Sequence, residues 1–187
     1  MDISSYMRAG YPLLYVITQE ADRATQALKA EGWQSYAWDC LRGITDTRQV
    51  VEDVLDPIQA MNWLAGKADT ILKTQNMHHF LGSVEVIQAL QNYLQIYKSQ
   101  GTCLVMVGPQ VDLPPEIEKY VTTLDFALPG TRDLEAIMKE LGQSVAVEVN
   151  PEAVEAAKGL TEFEAETAFA LSLVERQCFD PEIITAQ

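Results

Sequence analysis

Five short apolar runs alternate with helical patterns over most of this chain, and this alternation constrains the fold more than any other feature of the sequence. Short apolar runs separated by amphipathic helices are typical of a parallel sheet flanked by helices. The sequence therefore predicts an α/β fold with a five-stranded parallel sheet. The predicted strands are 12–18, 33–38, 70–74, 102–108 and 121–126.

Residues with capping preferences mark the ends of the predicted helices. Gly32 follows the first helix. Asp56 precedes Pro57 at the start of the second helix, and Ser83 and Gly101 flank the third. Each of these residue types is favoured at the position it takes. The three helices are predicted over 20–31, 57–65 and 84–99.

Helical patterns take over in the last third of the chain. Thr161 and Glu164 form a capping box at the start of the last long helix. The run 145–149 is compatible with an edge strand or with a connector. We therefore divide the chain into an α/β core, 1–129, and a small helical subdomain, 130–187. The helices predicted in the subdomain are 132–141, 151–158 and 162–177.

The chain is strongly acidic, with a formal net charge of −14 at pH 7. Affinity for nucleic acid comes largely from Lys and Arg that neutralise phosphates, so this charge argues against a nucleic-acid partner. No apolar stretch reaches the roughly 20 residues that a membrane span needs, and the N-terminus lacks the pattern of a signal peptide. Three cysteines without C-x-x-C spacing indicate neither a disulfide nor a zinc site. We expect a cytoplasmic protein.

No phosphate loop follows the first predicted strand. A Walker A loop reads G-x-x-x-x-G-K-[ST], because its backbone N–H groups surround the phosphates while the Lys and the Ser or Thr reach the outer phosphates and Mg²⁺. Here the strand continues into Gln19-Glu20-Ala21-Asp22-Arg23. Glu20 and Asp22 would stabilise the start of a helix through its dipole and would repel an anion.

Several segments of the sequence resemble one protein family. These segments are 8–16, 56–61, 78–81, 113–118, 124–129 and 159–166. They resemble the N-terminal half of the AAA+ ATPase family that is encoded in cyanobacterial and plastid genomes, and the resemblance covers nearly the whole chain. It implies an AAA+/RecA-like core followed by a small helical lid.

The resemblance also implies a division of labour between two modules. In this family a degenerate module that lacks the phosphate loop precedes a second AAA+ module that carries Walker A and Walker B. The chain itself would then hold no cofactor, and ATP and Mg²⁺ would bind an associated AAA+ module. The implied partner is an AAA+ module of the same or another chain, in a homo-oligomer, in the cytoplasm or the plastid stroma.

The third predicted strand departs from the Walker B pattern. Walker B needs one carboxylate that holds Mg²⁺ and a neighbouring one that polarises the attacking water. Thr74, Gln75 and Asn76 occupy this region and are neutral. We therefore assign no catalytic residue.

Polar residues that follow the predicted strands are candidates for binding a cofactor, because open α/β sheets bind ligands at the carboxyl edge of their strands. These candidates are Asp39, Arg42, Asn76, His78 and Gln110. Gln110 takes the place of a polar sensor in AAA+ modules, although Gln is also ordinary in a loop bounded by Pro. Adjacent residues of an extended segment point opposite ways, so His78 and His79 predict no shared metal.

The leading functional hypothesis is a catalytically inactive AAA+-like module that acts in oligomer assembly or in regulation of an ATPase whose Walker motifs lie elsewhere. Arg42, Arg48 or Arg132 could act as an arginine finger, and nothing in the sequence selects among them. Two alternatives stay open: a nucleotide-binding protein with a non-standard phosphate site, and a stand-alone protein-binding mimic of an AAA+ module. The acidic residues of the lid form either a solvated face or a surface for a basic partner.

Overall fold

A seven-stranded sheet organises the first of two units in this chain. The computed structural model describes residues 1–46 and 49–186, and its units are Met1–Phe126 and Ala127–Gln187. The strands are β1 (Leu13–Ile17), β2 (Gln34–Asp39), β3 (Gly43–Thr45), β4 (Val50–Glu52), β5 (Thr70–Gln75), β6 (Cys103–Gly108) and β7 (Val121–Asp125). Their order across the sheet is β4-β3-β2-β5-β6-β1-β7.

The five predicted strands form the parallel part of this sheet. β2, β5, β6, β1 and β7 lie side by side in that order, and each pair of neighbours is parallel. Leu13 and Tyr15 of β1 enter the core on one face, and Leu14 and Val16 enter the core on the other. All four side chains are fully buried, which explains why the run is apolar without alternation.

Two further strands extend the sheet, and the sequence prediction missed both. β3 pairs antiparallel with β2, and β4 pairs antiparallel with β3 at the edge. The sheet is therefore mixed, with five parallel strands and two antiparallel ones. Each added strand has three residues, which is too short for a periodic apolar pattern to be recognised.

Helices cover both faces of the sheet. In the first unit they are α1 (Ser4–Arg8), α2 (Ala21–Ala27), α3 (Pro57–Ala65), α4 (Val84–Gln100) and α5 (Pro115–Glu118), and a 3₁₀ turn spans Met77–Phe80. The predicted bounds of α3 and the predicted flanking residues of α4, Ser83 and Gly101, are confirmed. The Asp56 carboxylate accepts a hydrogen bond from the Gln59 N–H at the start of α3, and Gly101 ends α4 in the left-handed conformation, at φ 67°.

The prediction of a helix over 20–31 is wrong over its last four residues, 28–31. α2 ends at Ala27, because Leu28 takes an extended conformation. The next residue, Lys29, forms a parallel bridge with Asp2 and donates its N–H to the Met1 carbonyl oxygen. Pairing with the N-terminal segment therefore outweighs the local helical preference.

Four helices form the second unit over its described residues, 127–186. They are α6 (Thr131–Gln143), α7 (Pro151–Ala156), α8 (Glu162–Arg176) and α9 (Pro181–Thr185). The predicted capping box of α8 is confirmed: Glu164 donates its N–H to the Thr161 hydroxyl at 3.2 Å, and Thr161 donates its N–H to the Glu164 carboxylate at 2.8 Å. The run 145–149 is a connector and not a strand.

The helices of the second unit enclose a core of their own. Leu134 and Met138 of α6 meet Phe169 of α8 there, and the Phe169 and Phe179 rings pack edge to face with their centroids 5.8 Å apart. Within residues 1–46 and 49–186, no helix combines the length and the apolar composition that crossing a membrane requires.

Candidate functional site

The connection from β1 to α2 occupies the position of a phosphate loop, and it is only three residues long. Thr18, Gln19 and Glu20 link the strand to the helix. The Thr18 hydroxyl accepts a hydrogen bond from the Glu20 N–H at 2.9 Å, which closes the turn. The Glu20 side chain is 7% exposed and pairs with Arg23, whose guanidinium lies 4.4 Å from the centre of the Phe126 ring.

These residues do not fit a nucleotide phosphate. A phosphate loop needs several free backbone N–H groups, a Lys and a hydroxyl that reach the anion. In this structure a buried carboxylate stands at the first turn of α2, and the Glu20 N–H is already used within the connection. The arrangement binds its own arginine where an ATP-binding module would bind phosphate.

Polar side chains of β5 hold α2 against the sheet. Lys73 donates from Nζ to the Thr25 carbonyl oxygen at 2.6 Å. Gln75 donates from Nε2 to the Asp22 carboxylate at 2.8 Å and to the Thr25 hydroxyl at 3.4 Å. In an ATP-binding module Mg²⁺ and phosphate connect these two elements. Here direct hydrogen bonds connect them.

Lys73 is a buried amine in the middle of this arrangement. Its side chain is 9% exposed, and burial together with the nearby Lys29 lowers the pKa of the Lys73 amine to about 8. The neutral Thr25 carbonyl oxygen offsets little of the cost of burying the charge. Lys73 was not among the predicted site residues, although a Lys within an apolar strand run is a visible signal of an internal polar contact.

The end of β2 brings two predicted candidates, Asp39 and Arg42, into one closed turn. Asp39 accepts hydrogen bonds from the Leu41 and Arg42 N–H groups at 2.9 and 2.8 Å, and from Nε of Arg42 at 2.6 Å. Burial alone would raise the pKa of the Asp39 carboxyl, but these hydrogen bonds outweigh it and lower the pKa. Asp39 and Arg42 thus stabilise the start of β3.

The three arginine-finger candidates differ in their surroundings. Arg42 is engaged with Asp39, and this hydrogen bond raises the pKa of its guanidinium. Arg132 lies exposed in the first turn of α6. Arg48 lies outside the described residues.

The end of β5 places three predicted residues in a tight turn. Asn76 adopts the left-handed conformation, at φ 58°, and its side chain makes no capping hydrogen bond. His78 and His79 follow in the 3₁₀ turn, and their ring centroids are 4.1 Å apart. The expectation that the two rings point opposite ways is wrong, because these residues lie in a 3₁₀ turn and not in an extended segment, and consecutive side chains of such a turn are about 120° apart. Among the residues described, no group of three or more His, Cys, Asp or Glu side chains is arranged to hold a metal.

Tyr15 and His78 pack over Gly108 at the end of β6. A Cβ atom on Gly108 would lie 2.6 Å from the Tyr15 hydroxyl and 2.7 Å from Nδ1 of His78. Tyr15 donates its hydroxyl to the Gln110 carbonyl oxygen at 2.6 Å. Gln110 therefore contributes its backbone to this cluster and not the side chain that the sensor prediction invoked.

Nδ1 of His78 is the polar atom of this cluster that stands out. It is buried and has no hydrogen-bond partner among the described protein atoms. Burial and the neighbouring His79 both lower the pKa of His78, so the ring is neutral near pH 7. Of the five candidates, the structure brings His78 and the Gln110 backbone together around Tyr15 and pairs Asp39 with Arg42, while Asn76 serves as a turn residue.

Comparisons with known proteins match the first unit to a described family. Residues 1–126 match the model of the SpoVK-like AAA ATPase, N-terminal domain. An uncharacterized AAA domain-containing protein ycf46 from Trieres chinensis is 23% identical over 154 residues, which cover 78% of this chain and 31% of that protein. The ycf46 protein from Pyropia yezoensis is 21% identical over 162 residues, which cover 82% of this chain and 33% of that protein. The chain thus spans about a third of the length of these relatives.

Solved structures resemble the fold of the chain. The Thermotoga maritima RuvB Holliday junction branch migration motor aligns with a TM-score of 0.58 at 13% identity, over 97% of this chain and 63% of RuvB. A DNA replication initiation factor aligns with a TM-score of 0.56 at 9% identity, over 91% of this chain and 58% of that chain. Such low identities establish the fold alone, and that fold is the predicted AAA+/RecA-like α/β architecture.

Proposed function

The chain belongs to the SpoVK-like AAA ATPase N-terminal domain family, as an N-terminal AAA+-like module of the ycf46 type. We propose that it assembles or regulates an AAA+ ATPase without hydrolysing ATP itself. The ATPase centre of the proposed assembly lies in a downstream or separate module. The ycf46 relatives are plastid-encoded, so the plastid stroma is one proposed location.

The observation that carries the proposal is the three-residue connection between β1 and α2. Glu20 fills the anion position with a carboxylate, and Arg23 neutralises it. The bonds from Lys73 and Gln75 to α2 replace the contacts that a nucleotide and Mg²⁺ would make. A module held this way keeps the same surfaces whether or not ATP is present, which suits a constant partner in an oligomer.

A fluorescent ATP analogue, titrated with and without Mg²⁺, tests the first part of the proposal. We expect no saturable binding up to about the millimolar range. Glu20→Gln is the informative variant, because it removes the repelling charge but keeps the short connection. We expect this variant to show no saturable binding either. Saturable Mg²⁺-dependent binding by the unmodified chain would overturn the proposal.

The buried Nδ1 of His78 supports the alternative of a non-standard nucleotide site at the carboxyl edge. His78→Ala separates the two functions in the same titration. Binding that His78→Ala abolishes would favour the alternative, because this imidazole lies beside Tyr15 and Gly108 and outside the β1–α2 connection.

A second assay tests the regulatory role directly. The chain is added to a ycf46-type AAA+ module that carries both Walker motifs, and the rate of ATP hydrolysis and the molar mass are measured together. We expect the chain to change at least one of them. An ATPase whose rate and mass both stay constant would contradict the proposed partner.

A further inference from the structure

The outer face of α8 carries a stripe of uncharged residues that has a large apolar side chain at each end and points away from the core of the second unit. Ala165, Ala168, Phe169 and Ser172 are buried on the inner face. Phe163, Thr167, Ala170 and Val174 repeat at spacings of four, three and four, which places them on the opposite face.

The stripe is open to solvent at both ends. Phe163 is 75% exposed and Val174 is 81% exposed. Thr167 between them donates its hydroxyl to the Phe163 carbonyl oxygen at 2.8 Å, so its donor is used within the helix. Aromatic and branched side chains that line up along one exposed helix face are typical of a docking surface.

Carboxylates flank the stripe on both sides. Glu164 and Glu175 follow its members by one residue, and Glu166 lies on the other flank at the helical spacing of 100° per residue. The Thr161 backbone and hydroxyl lower the pKa of the Glu164 carboxyl, which keeps it charged. The whole unit has twelve Asp and Glu residues against four Lys and Arg. A second copy of this unit would bring like charges together.

We propose that the outer face of α8 docks a basic amphipathic helix of a partner protein. Apolar residues of that helix would cover Phe163 and Val174, and its Lys or Arg residues would pair with the flanking Glu164, Glu166 and Glu175. This inference rests on the proposed function for the idea that the chain works through protein contacts, and it adds the chemistry of the partner.

A labelled synthetic helix with leucine on one face and lysine on the other is the first probe. We expect saturable binding, measured by fluorescence anisotropy, that weakens as salt is raised because the charges are exposed. Amide chemical shifts should change along α8. A peptide in which glutamate replaces lysine should not bind, and equal binding of both peptides would overturn the proposal.

Matched variants assign the binding to the stripe. Phe163→Ser combined with Val174→Ser should weaken the lysine peptide at least about tenfold, since burial of large apolar side chains drives such docking. Val84→Ser is the control, because Val84 is 76% exposed on α4 and should not affect binding. If the stripe variant, shown to be folded by circular dichroism, binds as tightly as the unmodified chain, the inference is wrong.

Self-association is the competing occupant of this face. We expect sedimentation equilibrium to find no dimer that forms through this face. A dimer that Phe163→Ser dissociates would contradict the proposal, because it would show that a second copy of the chain, and not a basic helix, covers the face. The nucleotide titration involves no residue of α8. Saturable Mg²⁺-dependent nucleotide binding would therefore contradict the proposed function without changing the peptide result. Absence of peptide binding would contradict only this inference.

Discussion

At the carboxyl edge of β1 and β5, polar side chains bind one another, whereas along the outer face of α8 apolar side chains face solvent. Lys73 and Gln75 donate hydrogen bonds to groups of α2, and Glu20 forms an ion pair with Arg23. Phe163 and Val174 have no comparable cover. The first region resembles a ligand site that the chain has filled with its own groups, and the second resembles half of an interface. The proposed function accounts for this difference, because it requires contact with a partner and no ligand chemistry in this module.

Substitutions on the two faces of α8 should differ most in their effect on stability. Phe169→Ala removes a fully buried ring and leaves a cavity, so we expect it to lower the free energy of unfolding of the second unit by about 3–5 kcal/mol. Phe163→Ala on the same helix should change it by less than about 0.5 kcal/mol. Guanidinium unfolding followed by circular dichroism measures both. A Phe163→Ala cost close to that of Phe169→Ala would mean that the outer face is already covered.

Gly108 tests how tightly the carboxyl edge is closed. A methyl group at this position would press on the Tyr15 hydroxyl and the His78 ring, so Gly108→Ala should cost about 1–3 kcal/mol of stability. Tyr15→Phe removes the hydroxyl oxygen, which is the nearest of the three atoms that this methyl group would meet. The double variant should therefore lose less than the sum of the two single losses in a thermal or denaturant unfolding series, and strict additivity would contradict the close packing.

Lys73 makes the stability of the first unit depend on pH. Because the folded-state pKa of about 8 lies below the ordinary 10.5, the unfolded chain binds more protons between these values, and stability rises with pH through that window. From pH 8 to 10 the rise from this group should be about 2 kcal/mol. Lys73→Met keeps the length of the side chain and should lose that rise. Parallel pH profiles of the two proteins would contradict a buried amine.

The parallel strands and the long helices were predictable, because extended apolar runs and capping residues such as Asp56 report on local structure. The absence of a phosphate loop was also readable from Gln19 and Glu20. The pairings across the sheet were not. Lys73 reaches Thr25 over 48 positions and Tyr15 reaches Gln110 over 95, so neither contact leaves a local pattern. The short 3₁₀ turn that brings the His78 and His79 rings together was hidden for a different reason, since a single turn has no period to detect.

Substitution of Gln75 has the smallest expected effect on stability. It distinguishes a side-chain amide that joins two elements from one that bonds within a single helix. Gln75→Met removes the donor that joins β5 to Asp22 and Thr25 of α2, and since these groups are partly solvated we expect a loss of at most about 1 kcal/mol. Gln88→Met is the control, because Gln88 donates to Asn92 on the exposed face of α4, and such a pair stabilises a helix by about 0.2–0.5 kcal/mol. Hydrogen exchange of the α2 amides should accelerate in Gln75→Met and stay constant in Gln88→Met. Equal exchange rates of the α2 amides in the two variants would mean that Lys73 alone holds α2 against the sheet. A single hydrogen bond would then take the place of the contacts that a nucleotide makes in an ATP-binding module.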